Sequence, residues 1–352
     1  MGRAKESNTF VEMLQAPDIF RSFNAAASNP LKAALEKTGA LYVIGEGSSR
    51  KLPGQNLIRQ SMSLQAPRPY IFALSGSECH DYNFENGVVV LVSNSGQTQE
   101  VCALGDRLKN EGHENLFALT NFADSHLATL CGAEKTILLE CGAEQGVAAT
   151  KTIMKQALVL HAALPGAQTV FTRNTLAETG TAIEAVLTNH GPSETMTALL
   201  ADANNIYLAG ANNGPGEELA LKFSETCKPA HFLPGSEIVH GPQETIGAND
   251  LVILIDPHSD YHARLHKKII EETPANVIAI RSPGNDLSAL NLAPAHIYTL
   301  PKHQKVLRPY FQLAAGWRLL IETAEKLKID IDHPKRAEKV GNPLPPTAST
   351  AS

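Results

Sequence analysis

The sequence predicts an α/β protein made of two tandem, doubly wound parallel sheets of five strands each, flanked by helices in three layers. Three observations carry this expectation. Short β-branched, apolar runs alternate with longer segments of helical period. The same rhythm occurs twice at a near-constant spacing. Finally, 352 residues, at roughly 150 per domain, supply enough chain for two cores.

Residues 1–35 read as a helical lead-in, and residues 36–165 as the first domain. Its strand-like runs are 40–44, 70–74, 88–92, 116–120 and 136–139. The second domain, 185–328, answers with 205–209, 231–233, 251–255, 277–280 and 296–300. Tyr42 to Tyr207 is 207 − 42 = 165 residues, and Val89 to Val252 is 252 − 89 = 163. The triplet Gly76-Ser77-Glu78 recurs as Gly235-Ser236-Glu237. Two unrelated doubly wound domains would share the rhythm but not the offset, so the spacing predicts an internal duplication. The join is expected between Pro165 and about Asn189, where Pro165-Gly166 ends one helix and a polar, alanine-rich helix begins. Residues 329–352 read as a closing loop and a mobile tail, the latter from Asn342 onward with its prolines and small polar residues.

Lysine and arginine total 30 against 36 acidic residues, a net charge of −6, which argues against nucleic acid or an anionic membrane as the main partner. The chain lacks a run of about 18 apolar residues and a hydrophobic leader, so a cytoplasmic location is expected. Cys79, Cys102, Cys131, Cys141 and Cys227 form an odd set without zinc or disulfide spacing and read as packed, reduced thiols. The histidines show no HExxH-like cluster, and no metal or cofactor is expected.

Two loops look suited to phosphate. After the first strand comes GEGSSR, in which Gly47, Ser48 and Ser49 offer a sharp turn, a helix start and two hydroxyls. After the third comes SNSGQT, with Ser93, Asn94, Ser95 and Thr98 packed around one glycine at the carboxyl edge of a parallel strand. A capping box using Thr98 or Ser95 with Glu100 explains one hydroxyl and leaves the others unused. Neither loop is a GxxxxGK[ST] nucleotide loop, and GEGSSR lacks the third glycine of a dinucleotide fingerprint. A small phosphate ester is the expected ligand. In the second half, Asp256-Pro257-His258-Ser259-Asp260 replaces the serine pattern with two carboxylates, which are expected to repel phosphate.

GEGSSR, SNSGQT, GAEQGVAATKT (142–152) and ALKFSE…GSEIVHGP (220–242) together resemble the double sugar-isomerase (SIS) domain proteins over roughly residues 10–339. That family includes the isomerase half of glutamine:fructose-6-phosphate aminotransferase and stand-alone deaminases and deglycases of amino-sugar phosphates. The resemblance implies two flavodoxin-like αβα domains, with phosphate on Ser48, Ser49, Ser93, Asn94, Ser95 and Thr98. Val147 and Ala149 would then line the sugar. By spacing alone, Glu218, Lys222 and Glu225 share one helix face, which is usually a solvated ion-pair stripe. The resemblance makes Glu225 the base that moves a proton between C1 and C2 of an open-chain sugar, with Lys222 facing the sugar oxygens. It makes His240 a ring-opening residue reaching a neighbouring subunit, supported by Glu237, and so implies a homodimer. It also places Lys339, in DIDHPKRAEKV (330–340), over the substrate.

The aminotransferases need a glutaminase cysteine after Met1, and here residue 2 is Gly2, so chemistry without glutamine-derived ammonia is expected. The leading expectation is deamination of glucosamine 6-phosphate to fructose 6-phosphate. A fructosamine-phosphate deglycase, an isomerase of another phospho- or sulfo-sugar, and a non-catalytic sugar-phosphate sensor are the alternatives. Pro53-Gly54 is expected to interrupt the helix after Ser49, and Cys227-Lys228-Pro229-Ala230-His231 departs from the family pattern beside Glu225, near the far substituents of a sugar.

Overall fold

A computed structural model describes residues 4–79, 81–84, 86–257 and 260–345. The first sheet holds β1 (Ala40–Gly45), β2 (Tyr70–Leu74), β3 (Val88–Val92), β4 (Leu116–Thr120) and β5 (Thr136–Leu138). The second holds β6 (Ile206–Gly210), β7 (Ala230–Pro234), β8 (Leu251–Ile255), β9 (Asn276–Arg281) and β10 (Ile297–Thr299). All pairings are parallel, and the orders are β2-β1-β3-β4-β5 and β7-β6-β8-β9-β10, the same doubly wound order in both units. Every residue of β3, β4 and β8 is buried, because helices cover both faces of the sheet. This is why these strands read as unbroken apolar runs and not as alternating ones.

Three helices lead in, α1 (Asn8–Leu14), α2 (Ala16–Arg21) and α3 (Asn29–Thr38), and α4 (Ser48–Met62), α5 (Gln99–Asn110), α6 (His126–Cys131) and α7 (Lys151–Ala162) belong to the first unit. The join carries α8 (Arg173–Thr188) and α9 (Glu194–Asp202), followed by α10 (Pro215–Thr226), α11 (Asp260–Glu272) and α12 (Arg308–Leu327). One apolar core runs through both units, from Leu41 and Val43 in the first sheet to Leu208 and Ile253 in the second, with Trp317 of α12 fully buried in it. Among the described residues no helix is long and apolar enough to cross a membrane.

Two expectations fail. α4 runs unbroken through Pro53. A proline there removes a single i→i−4 bond, to the Ser49 carbonyl, and the adjacent Gly54 lets the helix lie directly on β2, where a Cβ would stand 2.5 Å from that of Ala73. Nor is the start of the tail loose. The Gln99 N–H donates to the Asn342 carbonyl at 2.9 Å, the Leu344 N–H donates to the Gln97 carbonyl at 2.9 Å, and Pro343 bridges Thr98. Residues 346–352, the rest of that tail, lie outside the described residues.

Candidate active site

Parallel pairing sets Gly45 opposite Val92, so the loops after β1 and β3 leave neighbouring strands at the point where the strand order reverses. Open α/β sheets bind ligands in that crevice. Gly47, at φ +50, caps α4, and Ser48 and Ser49 are its first two residues. Ser49 Oγ accepts from Gln156 Nε2 at 3.3 Å.

In the second loop, Ser93 Oγ lies 2.8 Å from Thr98 Oγ1 and 3.4 Å from Ser95 Oγ and accepts the Gly96 N–H at 3.0 Å. The capping box does not form. Thr98 occupies the cap of α5 without a side-chain cap bond, and Glu100 accepts from Asn342 Nδ2 at 2.8 Å. The hydroxyls therefore face one another across a turn made by Gly96 at φ +63, where a Cβ would stand 2.3 Å from Ser125 Oγ. Asn94 Oδ1 is buried without a hydrogen-bond partner among the described residues. Convergent hydroxyls and backbone N–H groups at a parallel-sheet edge suit a polyoxoanion.

α10 delivers the charged row from the second unit. Its cap, Gly214 at φ +104, packs against α4 so closely that a Cβ would stand 2.8 Å from the Leu52 carbonyl oxygen. The row is not a solvated stripe: Lys222 is 1 % exposed and Glu218 0 %. Lys222 Nζ lies 3.1 Å from Glu218 Oε1 and donates to Glu225 Oε2 at 2.8 Å and to Ser48 Oγ at 2.7 Å. Burial alone would push this ammonium down, but the two carboxylates outweigh it and hold Lys222 above the ordinary lysine value. Burial pushes Glu218 up, with Lys222 opposing. Glu225, 25 % exposed, is the member of the triad that a ligand can reach.

The C-terminal segment closes over the first unit. Lys339 Nζ donates to the Gly146 carbonyl at 2.7 Å and to Glu144 Oε2 at 3.2 Å. Glu144 is buried. Burial raises its pKa, but Lys339 and the hydroxyl and N–H donors of Thr150 and Thr152 win, so the carboxyl sits below its ordinary range. Val147 and Ala149 are half-buried in the stretch between Glu144 and α7. His240 is exposed, on the loop after β7, and makes no side-chain hydrogen bond among the described residues. Glu237 braces that loop through its carbonyl, which accepts the His240 N–H at 2.9 Å, and not through its exposed carboxylate. Lys228 turns away from the triad and donates to the Ala201 and Ala203 carbonyls, both at 2.7 Å, so it anchors the segment after Glu225 to the end of α9.

Residues 34–165 match the family model described as SIS domain. That match spans the first unit. Over 287 residues the chain is 24 % identical to glutamine–fructose-6-phosphate aminotransferase (isomerizing) of Acidithiobacillus ferridurans, an alignment covering 74 % of this chain and 45 % of that relative. The chain thus spans less than half the length of the curated relatives it matches. Its fold superposes on tagatose-6-phosphate ketose/aldose isomerase of Escherichia coli with a TM-score of 0.76 at 18 % identity, covering 99 % of both chains. It superposes on glucosamine-6-phosphate deaminase of Thermotoga maritima with a TM-score of 0.70 at 18 % identity, covering 95 % of this chain and 99 % of that one.

Around the crevice at the strand-order reversal the structure brings together Ser48, Lys222, Glu225 and Glu218, and separately Ser93, Ser95 and Thr98. Sequence reasoning missed Glu144, Glu12 and Gln156. Glu12, on α1, accepts the Gly146 N–H at 3.2 Å, and burial pushes its pKa up. The signal for Glu144 was present: one acid followed within eight residues by Thr150 and Thr152, small donors that a buried carboxylate needs.

Proposed function

We propose that this chain interconverts the aldose and ketose forms of an amino-sugar phosphate, with glucosamine 6-phosphate converted to fructose 6-phosphate and ammonia as the leading reaction. The observation that carries this reading is the Lys222 ammonium, which holds Ser48 of the first unit and Glu225 of the second within hydrogen-bond reach of one atom. A phosphate on the serine loops would hold one end of an open-chain sugar. Glu225 then takes the C2 proton and returns it at C1 while one N–H proton of the amine passes by way of solvent to O1, so that the aldehyde becomes a hydroxymethyl group and the C2 amine becomes an imine. Water adds to the imine and ammonia leaves, which balances as sugar amine plus water giving ketose plus ammonia. Lys222 remains an ammonium throughout, because two carboxylates hold its proton, and it steadies the oxygen charge that develops as the proton leaves C2. Lys339 and its strap close the first unit over the crevice. His240, exposed on its loop, suits a role in ring opening within the crevice of a second copy, which makes a homodimer the functional unit. The fold shared with a glucosamine-6-phosphate deaminase and a ketose/aldose isomerase supports this class of chemistry.

The test is to incubate the purified chain with glucosamine 6-phosphate and follow ammonia and fructose 6-phosphate together. Equal release of both, abolished in Glu225→Gln, is the expected result. Ketose without ammonia from an aldose phosphate would replace deamination by plain isomerisation. Turnover undiminished in Glu225→Gln would remove Glu225 from the mechanism.

A further inference from the structure

The two units carry the same strand order, so every feature of the candidate active site has a counterpart. Gly45 and Gly210 end equivalent strands 165 residues apart, and Val92 and Ile255 end the next pair 163 apart. Ser48 therefore corresponds to Asn213 (48 + 165), Ser93 to Asp256 (93 + 163), and Glu225 to Gln60 (225 − 165). These three counterparts line one cavity of about 420 Å³, within the range of small-molecule sites. It sits at the strand-order reversal of the second sheet, against the far end of α4. From Ser48 to Arg59 that helix covers eleven residues, about 16 Å at 1.5 Å each, so the cavity is separate from the candidate active site.

We propose that this cavity is a second, non-catalytic binding site for a small organic anion with an apolar body. The base position is an amide, Gln60, which cannot take a proton from carbon. The carboxylate expected to repel anions is already neutralised: Asp256, buried, pairs with Arg308 Nε at 3.0 Å and accepts from the Ser282 N–H at 2.8 Å and Oγ–H at 2.6 Å. Its backbone stands at φ +49, an uncommon conformation for a non-glycine residue. At the mouth, Arg59 and Lys305 are exposed and have no ion pair among the described residues. Leu64 and Leu164 supply apolar wall. Two buried polar atoms on the lining, Asn213 Oδ1 (residue 7 % exposed) and His161 Nδ1, lack hydrogen-bond partners among the described residues; the amide oxygen only accepts, so a donor on the ligand's body, such as an arylamine N–H, completes it while the cations at the mouth meet the anion.

The probe is 8-anilinonaphthalene-1-sulfonate, an anion on an apolar body, titrated into the full chain by fluorescence. One site per chain is expected, weakened at least tenfold in Arg59→Glu/Lys305→Glu and unchanged in Glu225→Gln. Both reversed residues are exposed, so the double variant is expected to fold, which circular dichroism checks. Binding that survives the double reversal, as at the exposed Tyr70 and Phe72 face, overturns the proposal. So does equal binding of neutral N-phenyl-1-naphthylamine, or no binding.

Discussion

Replacing Lys222 by methionine tests whether the charged row is a buried triad or an ordinary stripe. Methionine fits the volume of the alkyl stem but leaves Glu218, fully buried, facing no cation. Removing one partner of a buried ion pair costs about 4 kcal/mol. At roughly 2 °C per kcal/mol in a chain of this size, the melting temperature should fall on the order of 8 °C. Adding Glu218→Gln removes the stranded charge, so the double variant should recover most of the loss while staying inactive. Proton linkage gives a second readout. Without Lys222 only the Ser48 hydroxyl opposes the burial and the Glu225 charge that raise Glu218 above 4.5, so the native state holds a proton that the unfolded chain has released. Lys222→Met should therefore gain stability, relative to the parent, as pH falls from 7.5 towards 5, and lose it as pH rises through the raised value. Urea unfolding at both pH values measures this. A loss below about 1 kcal/mol, or a double variant no more stable than the single one, refutes the buried-triad account.

Gly96→Ala puts a side chain at φ +63 and 2.3 Å from Ser125 Oγ, so we expect a cost of about 2 kcal/mol in urea unfolding and loss of phosphate-ester affinity by calorimetry. Lys339→Ala removes the strap's bonds to Glu144 and Gly146, and hydrogen exchange at the Gln99 and Leu344 amides should speed up while core amides of β3 do not change. The Glu144 carboxyl lies below its ordinary 4.5, so its contribution is present above that value and lost as pH falls through the lower native value; strap exchange in the parent should quicken only below about pH 4.5.

The strands were legible because fully covered parallel strands must be continuous apolar runs, and VVVLV and LVILI satisfy that without ambiguity. Ser93, Ser95 and Thr98 were legible as a group because three hydroxyls exceed what a helix cap uses. Pro53 misled because local propensity counts the lost hydrogen bond and not the packing of Gly54 on β2. Glu12 and Gln156 could not be read, since each acts through a partner far along the chain; the closing loop with Lys339 came from the family resemblance, but its anchors on Glu144 and Gly146 did not. Gly146 lies 134 residues from Glu12, and Ser49 lies 107 from Gln156. Periodicity carries no record of such meetings. The burial of Lys222 and Glu218 was hidden for the same reason: α4, which covers them, belongs to the other unit.

The strap has a consequence for how the molecule is made. Glu144 lies 195 positions from its lysine, and Asp332 accepts the Thr9 N–H in the first turn of α1 from 323 positions away. A ribosome adding on the order of 5–20 residues per second completes the first sheet roughly 10–40 s before Lys339 exists. Through that interval the nascent first unit has its serine loops but not their clasp, and Glu144 awaits its cation. Anchoring of the strap is thus a late event of synthesis, set by residues that follow the second sheet and not by the sheet that bears the loops.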